Sequence, residues 1–143
     1  MDTKQAREFY LDYLNTIYVE RKVDQLDRFF AREIIAHPIV PGVAPGLQGV
    51  QAIVQGWVDA FADLRFTVDG FIYEKDMIAP RITMSGTQIG TFLGIPASGR
   101  RFEIVDQPHY QLRDGKVVEI WDNPDMLTML RQLGALPTPG PSA

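Results

Sequence analysis

Residues 101–125 read RFEIVDQPHYQLRDGKVVEIWDNPD, and this stretch decides the fold. It has the pattern of a hairpin. One strand ends near Arg113, Asp114-Gly115 makes the turn, and a second strand runs from Lys116 to Trp121. Asp-Gly between apolar runs is a strong hairpin signal, because both residues tolerate positive φ. Side chains alternate along a strand, so Val118, Ile120 and Asp122 share one face while Val117, Glu119 and Trp121 share the other. A carboxylate at the end of a mostly apolar face suits a buried general acid or base.

The composition around this hairpin sets limits. The chain has 143 residues, 45% of them hydrophobic and 22% charged. That is enough for one cored domain, expected over residues 1–136. The net charge is −4 and no basic run occurs, so nucleic acid is not expected as a partner. Cysteine is absent, which excludes disulfides, thiolate nucleophiles and thiolate metal sites. The two histidines, His37 and His109, fall on separate strands without metal-ligand spacing, so no metal is expected. The first residues are polar and no apolar run is long enough to span a bilayer, so the expected setting is cytoplasmic, away from membranes.

Working outward, Thr3 to Glu20 has the periodicity of an amphipathic helix, with Phe9, Tyr10, Tyr13, Leu14, Ile17 and Tyr18 on one stripe and Thr3 as candidate cap. The three tyrosines suit a packed core, or a hydroxyl facing a cavity. Val23 to Arg32 predicts a shorter helix and Glu33 to Val40 an edge strand holding His37. A loop, PGVAPG, precedes a third helix over Gln48 to Ala62 that carries Trp57, with Asp63-Leu64 closing it. Two strands follow, Arg65 to Tyr73 and Met77 to Phe92. Pro124 to Leu133 predicts a last helix, and Asp122-Asn123 could cap it. The Pro/Gly/Ser-rich tail, residues 137–143, is expected to be disordered. Helices first and antiparallel strands later indicate an α+β fold, with a strongly curved sheet enclosing a cavity.

The run GTQIGTFLGIPASGRR (residues 86–101), the DGKVVEIWDNPD that follows and the closing LRQLG together resemble the SnoaL-like polyketide cyclases. This family belongs to the nuclear transport factor 2-like superfold, a cone-shaped α+β barrel. The resemblance implies a single SnoaL-like domain that closes a ring of a polyketide ester by an intramolecular aldol reaction, without metal or cofactor. The family's general acid/base follows the tryptophan of the last strand, a position held here by Asp122. An assisting histidine on the preceding strand would be His109. Many relatives carry histidine where this chain has Gln88 and Ile120, so the cavity should be more apolar than theirs. The expected wall residues are Tyr110, His37, Trp57, Gln88, Ile120 and Tyr18. The expected substrate is a small hydrophobic or aromatic carbonyl compound. The same superfold also hosts isomerases, hydroxylation-assisting and epoxide-opening enzymes and non-catalytic binding modules.

Hairpin register decides whether His109 sees Asp122. A loop of Asp114-Gly115 alone puts His109 on the face of Asp122. A three-residue loop instead puts Tyr110, Leu112 and Asp106 there, and Asp106 could then pair with Asp122. Pro108 could mark a bulge that flips the residues before it. Val117 and Trp121 on the outer face suggest a homo-oligomer, in the simplest case a dimer.

Overall fold

The computed structural model describes residues 1–140; the end of the expected tail, residues 141–143, lies outside the described residues. Helix α1 spans Thr3–Tyr13. Its cap is Asp2, one residue before the expected Thr3. The Asp2 carboxylate accepts from the Gln5 amide at 2.8 Å, and the Gln5 side chain accepts from the Asp2 amide at 2.8 Å. This reciprocal box satisfies two amides that a first turn leaves unpaired. The helix does not stay α-helical to Glu20: Leu14–Val19 form a π-turn. A short 3₁₀ segment, Val23–Arg28, replaces the longer helix expected there. Strand β1 (Phe30–His37) starts early because Phe30 already pairs with Val117.

Helix α2 (Gly46–Ala60) hands over directly to β2 (Phe61–Glu74). Asp63-Leu64 therefore does not close a helix. Asp63 has φ 56°, the ladder shifts between Ala62 and Arg65, and Leu64 turns into the core at 2% exposure. This is a bulge, which re-aims a side chain without ending the strand. Arg21 donates to the carbonyls of Val58 and Phe61 and so ties off the end of α2. Strand β3 is Met77–Gln88, shorter than expected.

The predicted long first arm of the hairpin is two strands, β4 (Arg101–Asp106) and β5 (His109–Arg113). β4 pairs with Ile82 to Thr87 of β3, and β5 with Met77 and Ile78, in one continuous register. That register sets Pro80 opposite Pro108. Neither has an amide proton, so the ladder lapses between them. It lapses without flipping: Phe102, Ile104, Asp106, Pro108, Tyr110 and Leu112 are all buried.

Strand β6 (Lys116–Trp121) pairs antiparallel with β5 and parallel with β1. The turn is the two-residue loop: Arg113 pairs with Lys116, with Asp114 at φ 51° and Gly115 at φ 78°. Yet Leu112 pairs with Val117 and Gln111 with Glu119, leaving Val118 as an extra residue. This bulge brings Val117 inward, to 1% exposure, and restores Ile120 to the face of Tyr110. The expectation of Val117 on an exposed outer face is thereby corrected.

The strand order is β1-β6-β5-β3-β2, with β4 also on β3. β1 and β2 stand at the two ends of this path, so the expected barrel is an open six-stranded sheet. The core on its inner face includes Tyr10, Ile17, Phe61, Ile78 and Phe102. Helix α3 (Met126–Gln132) closes the chain, packing against β4 through Gln132, whose side chain bonds the backbone of Glu103. Among the described residues, no helix is long and apolar enough to cross a membrane.

Candidate active site

The inner face of β4–β6, the π-turn and α2 enclose a cavity of about 500 Å³. Its wall is mostly apolar: Val54, Trp57, Phe66, Ile82, Met84, Phe92 and Ile120 contribute. Its polar groups are few. Tyr13, Tyr18 and Tyr110 bring hydroxyls, Asp106 and Asp122 bring carboxyls, and His37 and Thr91 complete the set. Among the described residues, no lysine or arginine lines it.

Asp122 follows the last residue of β6 and is held by main chain. Its amide donates to the His37 carbonyl at 3.0 Å, extending the β1–β6 ladder by one bond. It does not cap α3. Asp125 does: its Oδ1 accepts from the Thr128 amide at 3.2 Å and its Oδ2 from the Thr128 hydroxyl at 2.6 Å. The Asp122 carboxyl is thus left to the cavity, where Oδ1 is buried and meets no donor.

Asp106 lies beside it, 6% exposed. Its Oδ1 accepts from the Gln107 amide at 2.9 Å, and the two carboxyls lie within hydrogen-bonding reach of each other. Burial comes first in raising Asp122, followed by the hydrogen bond and negative charge of Asp106; together they push it up to about 9. Burial also raises Asp106, while the bonds to Asp122 and to the Gln107 amide pull it back. Burial holds the hydroxyls of Tyr13, Tyr18 and Tyr110 above their usual range, so all three remain protonated donors.

The remaining expected site residues divide. Tyr110, Tyr18, Trp57 and Ile120 line the cavity. His37 reaches its rim, but its imidazole turns outward to Glu119 at 2.8 Å and stacks on Trp121 at 5.3 Å. His109 is exposed and pairs across the ladder with Trp121, so it points away from Asp122. The bulge at Val118 is the cause. Gln88 does not line the cavity either. It is fully buried and all four of its hydrogen bonds hold the following loop: it donates to the carbonyls of Gly90 and Ile95, at 3.1 Å each, and accepts from the Ser98 amide at 3.1 Å and hydroxyl at 2.6 Å. That loop delivers Phe92 and Leu93 to the cavity wall.

Sequence reading placed Tyr13 on the same stripe as Tyr18 but named only Tyr18 as a wall residue; both line the cavity. It admitted Asp106 only in one register. The alternation running back from Tyr110 through Pro108 was the signal for it. Among the described residues, no group of three or more His, Asp or Glu side chains is arranged to hold a metal ion.

The sequence model of the SnoaL-like polyketide cyclases matches residues 4–133. The chain is 28% identical over 127 residues to an aklanonic acid methyl ester cyclase from Streptomyces sp. strain C5, covering 85% of this chain and 78% of that one. Among solved structures, TsrD from Streptomyces laurentii superposes with a TM-score of 0.86 at 34% identity, covering 95% of this chain and 99% of that one. IdmH from Streptomyces antibioticus, a candidate polyketide cyclase, superposes with a TM-score of 0.74 at 30% identity, covering 91% and 99%. A cavity that ends on the acid after the last-strand tryptophan, and a family match that runs from the first helix to the last, lead to one conclusion: this chain belongs to the SnoaL-like polyketide cyclase family.

Proposed function

We propose that the chain catalyses a cofactor-independent, intramolecular aldol ring closure of a polyketide ester, with Asp122 as general acid/base. One observation carries this reading: a carboxyl with a raised pKa is held in a mostly apolar cavity without a cationic neighbour. A carboxyl at its ordinary value is ionised at neutral pH and only a weak base; burial raises Asp122 so that it can hold and return a proton during ring closure. Positioned acid–base catalysis contributes about a hundred- to ten-thousand-fold. A shaped wall contributes further by holding the substrate folded.

The hydroxyl of Tyr18 supplies the hydrogen bond to the enolate oxygen. It accepts from Tyr13 at 3.3 Å, so its own proton is available to the cavity. Tyr110 is a second donor on the same wall. His109 has no part in this scheme. The substrate class is a polyketide methyl ester, by likeness to the aklanonic acid methyl ester cyclase.

The test is turnover of aklanonic acid methyl ester, followed by chromatography. Asp122→Asn is expected to lower kcat about a hundredfold or more while KM changes little. Equal activity would defeat the role. Epoxide opening is disfavoured because Arg81, the mid-strand arginine before the hairpin, is exposed and bonds Asp69 on the outer face. A purely binding module has no use for a carboxyl kept in this state.

We also infer a homodimer through the outer face of β1 and β6. Ile35, 52% exposed, and the half-exposed Trp121 lie there, while Val117 does not. Light scattering at micromolar concentration, with Ile35→Lys as the disrupting variant, decides this.

A further inference from the structure

We propose that Asp106 is a second catalytic residue, sharing one proton with Asp122 as the two halves of a single acid–base pair. This rests on the ring-closure reading above and assigns its proton traffic.

The geometry carries it in three steps. First, Asp106 occupies a place the strand pattern would fill with an apolar residue. Phe102, Ile104, Pro108, Tyr110 and Leu112 all share its face. A buried charge there, with no cation beside it, has no packing purpose. Second, its bonding is one-sided. Oδ1 accepts from the Gln107 amide at 2.9 Å, and Asp122 is the side chain within hydrogen-bonding reach of the carboxyl. Third, two carboxyls can hydrogen-bond only if one of them carries a proton. The Gln107 amide favours charge on Asp106. Asp122 meets no donor at Oδ1, which favours the proton on Asp122.

The pair therefore rests as one carboxylate and one carboxylic acid, and ring closure needs one of each. The Asp106 carboxylate takes the proton from the carbon beside the substrate carbonyl, and the C–H electron pair becomes the enolate. The enolate carbon bonds to the second carbonyl carbon, whose π pair moves onto its oxygen. The Asp122 proton passes to that oxygen. The pair ends with one proton, now on Asp106, and its net charge is unchanged. Transfer across the hydrogen bond between the two carboxyls restores the starting state. The other titratable groups that face the pair are Tyr10, Tyr13 and Tyr18 from the first helix and π-turn and Tyr110 from β5. His37 of β1 is committed to Glu119.

The test is a titration of the aspartate side-chain carboxyls in the full chain by carbon NMR, with Asp106→Asn and Asp122→Asn assigning the two signals. One proton is expected to stay on the wild-type pair through neutral pH. In Asp106→Asn, the midpoint of Asp122 is expected to fall by a unit or more. Turnover of aklanonic acid methyl ester should drop at least tenfold in kcat with KM nearly unchanged, and Asp106→Glu should recover part of it. Loss of both protons below pH 6 in the wild type would overturn the pair, as would an Asp106→Asn variant with wild-type kcat. The titration reads the shared proton whether or not the ester is turned over, so failure of the ring-closure reading registers in the assay alone.

Discussion

The Tyr13 hydroxyl donates to the Tyr18 hydroxyl across 3.3 Å, and the π-turn between them is what allows it. Residues five apart on an α-helix point about 140° away from each other. Here the Glu20 amide bonds the Asn15 carbonyl at 2.8 Å, a five-residue step that widens the turn and swings both rings to one side. Such turns recur at functional sites. Tyr18→Phe removes the donor to the enolate oxygen and is expected to lower kcat about a hundredfold, in the range of other oxyanion donors. Tyr13→Phe leaves that donor in place, so its effect on kcat should be clearly smaller. The ratio of the two, from parallel steady-state assays, checks the order of donation.

The raised Asp122 makes stability pH-dependent, and the sign follows from linkage. The folded state holds the proton up to about 9, whereas the unfolded chain releases it near the ordinary carboxylate value of 3.8. Between these values the folded state binds more protons, so stability falls as pH rises, by at most about 1.4 kcal/mol per pH unit for one proton. Asn resembles the protonated acid and does not titrate. The melting temperature of Asp122→Asn should therefore match the wild type near pH 4 and exceed it increasingly toward pH 9. Parallel thermal melts across that range read the gap, and a constant gap would contradict it.

Much of the fold was legible because the signals are local. Asp114-Gly115 marks its turn, the stripe of Phe9, Tyr10, Tyr13 and Ile17 marks its helix, and Asp122 stands at the end of β6 as the alternation requires. What was not legible depends on pairing across the sheet. The Val118 bulge has no composition signal, yet it decides that Tyr110 and not His109 faces inward. The break at Pro108 needs Pro80 opposite it, and nothing within residues 101–113 reveals that partner. The caps were off by one residue at α1 and misplaced from Asp122 to Asp125 at α3. Several short polar residues compete at each end, and only the geometry chooses among them.

His109 offers a control for that reading of register. It is exposed, and its neighbour across the ladder is Trp121 on the outer face. His109→Ala should alter stability by no more than about 0.5 kcal/mol, as exposed substitutions do, and leave kcat within about twofold. A large loss of kcat would mean that β5 and β6 pair in the other register during catalysis.

Gln88 makes the opposite prediction: large consequences for a residue that never touches the cavity. Its side chain is fully buried and all its hydrogen bonds go to residues 90–98. Gln88→Leu keeps the volume roughly constant but removes the partner of the Gly90 carbonyl and of the Ser98 amide and hydroxyl, while the Ile95 carbonyl keeps its bond from the Phe92 amide at 3.0 Å. A fully buried group left unpaired costs about 1–3 kcal/mol; Gly90 is half-buried and Ser98 exposed, so water offsets part of this and a total loss of about 1–3 kcal/mol is expected. The loop they belong to carries Phe92, which packs on Trp57 at 4.7 Å and on Phe61 at 5.0 Å. Two readouts should therefore move together: the melting temperature falls, and amide exchange speeds up across residues 89–99 more than in β3 before them. If exchange rises equally throughout β3, Gln88 is a packing residue of the strand and the loop does not depend on it.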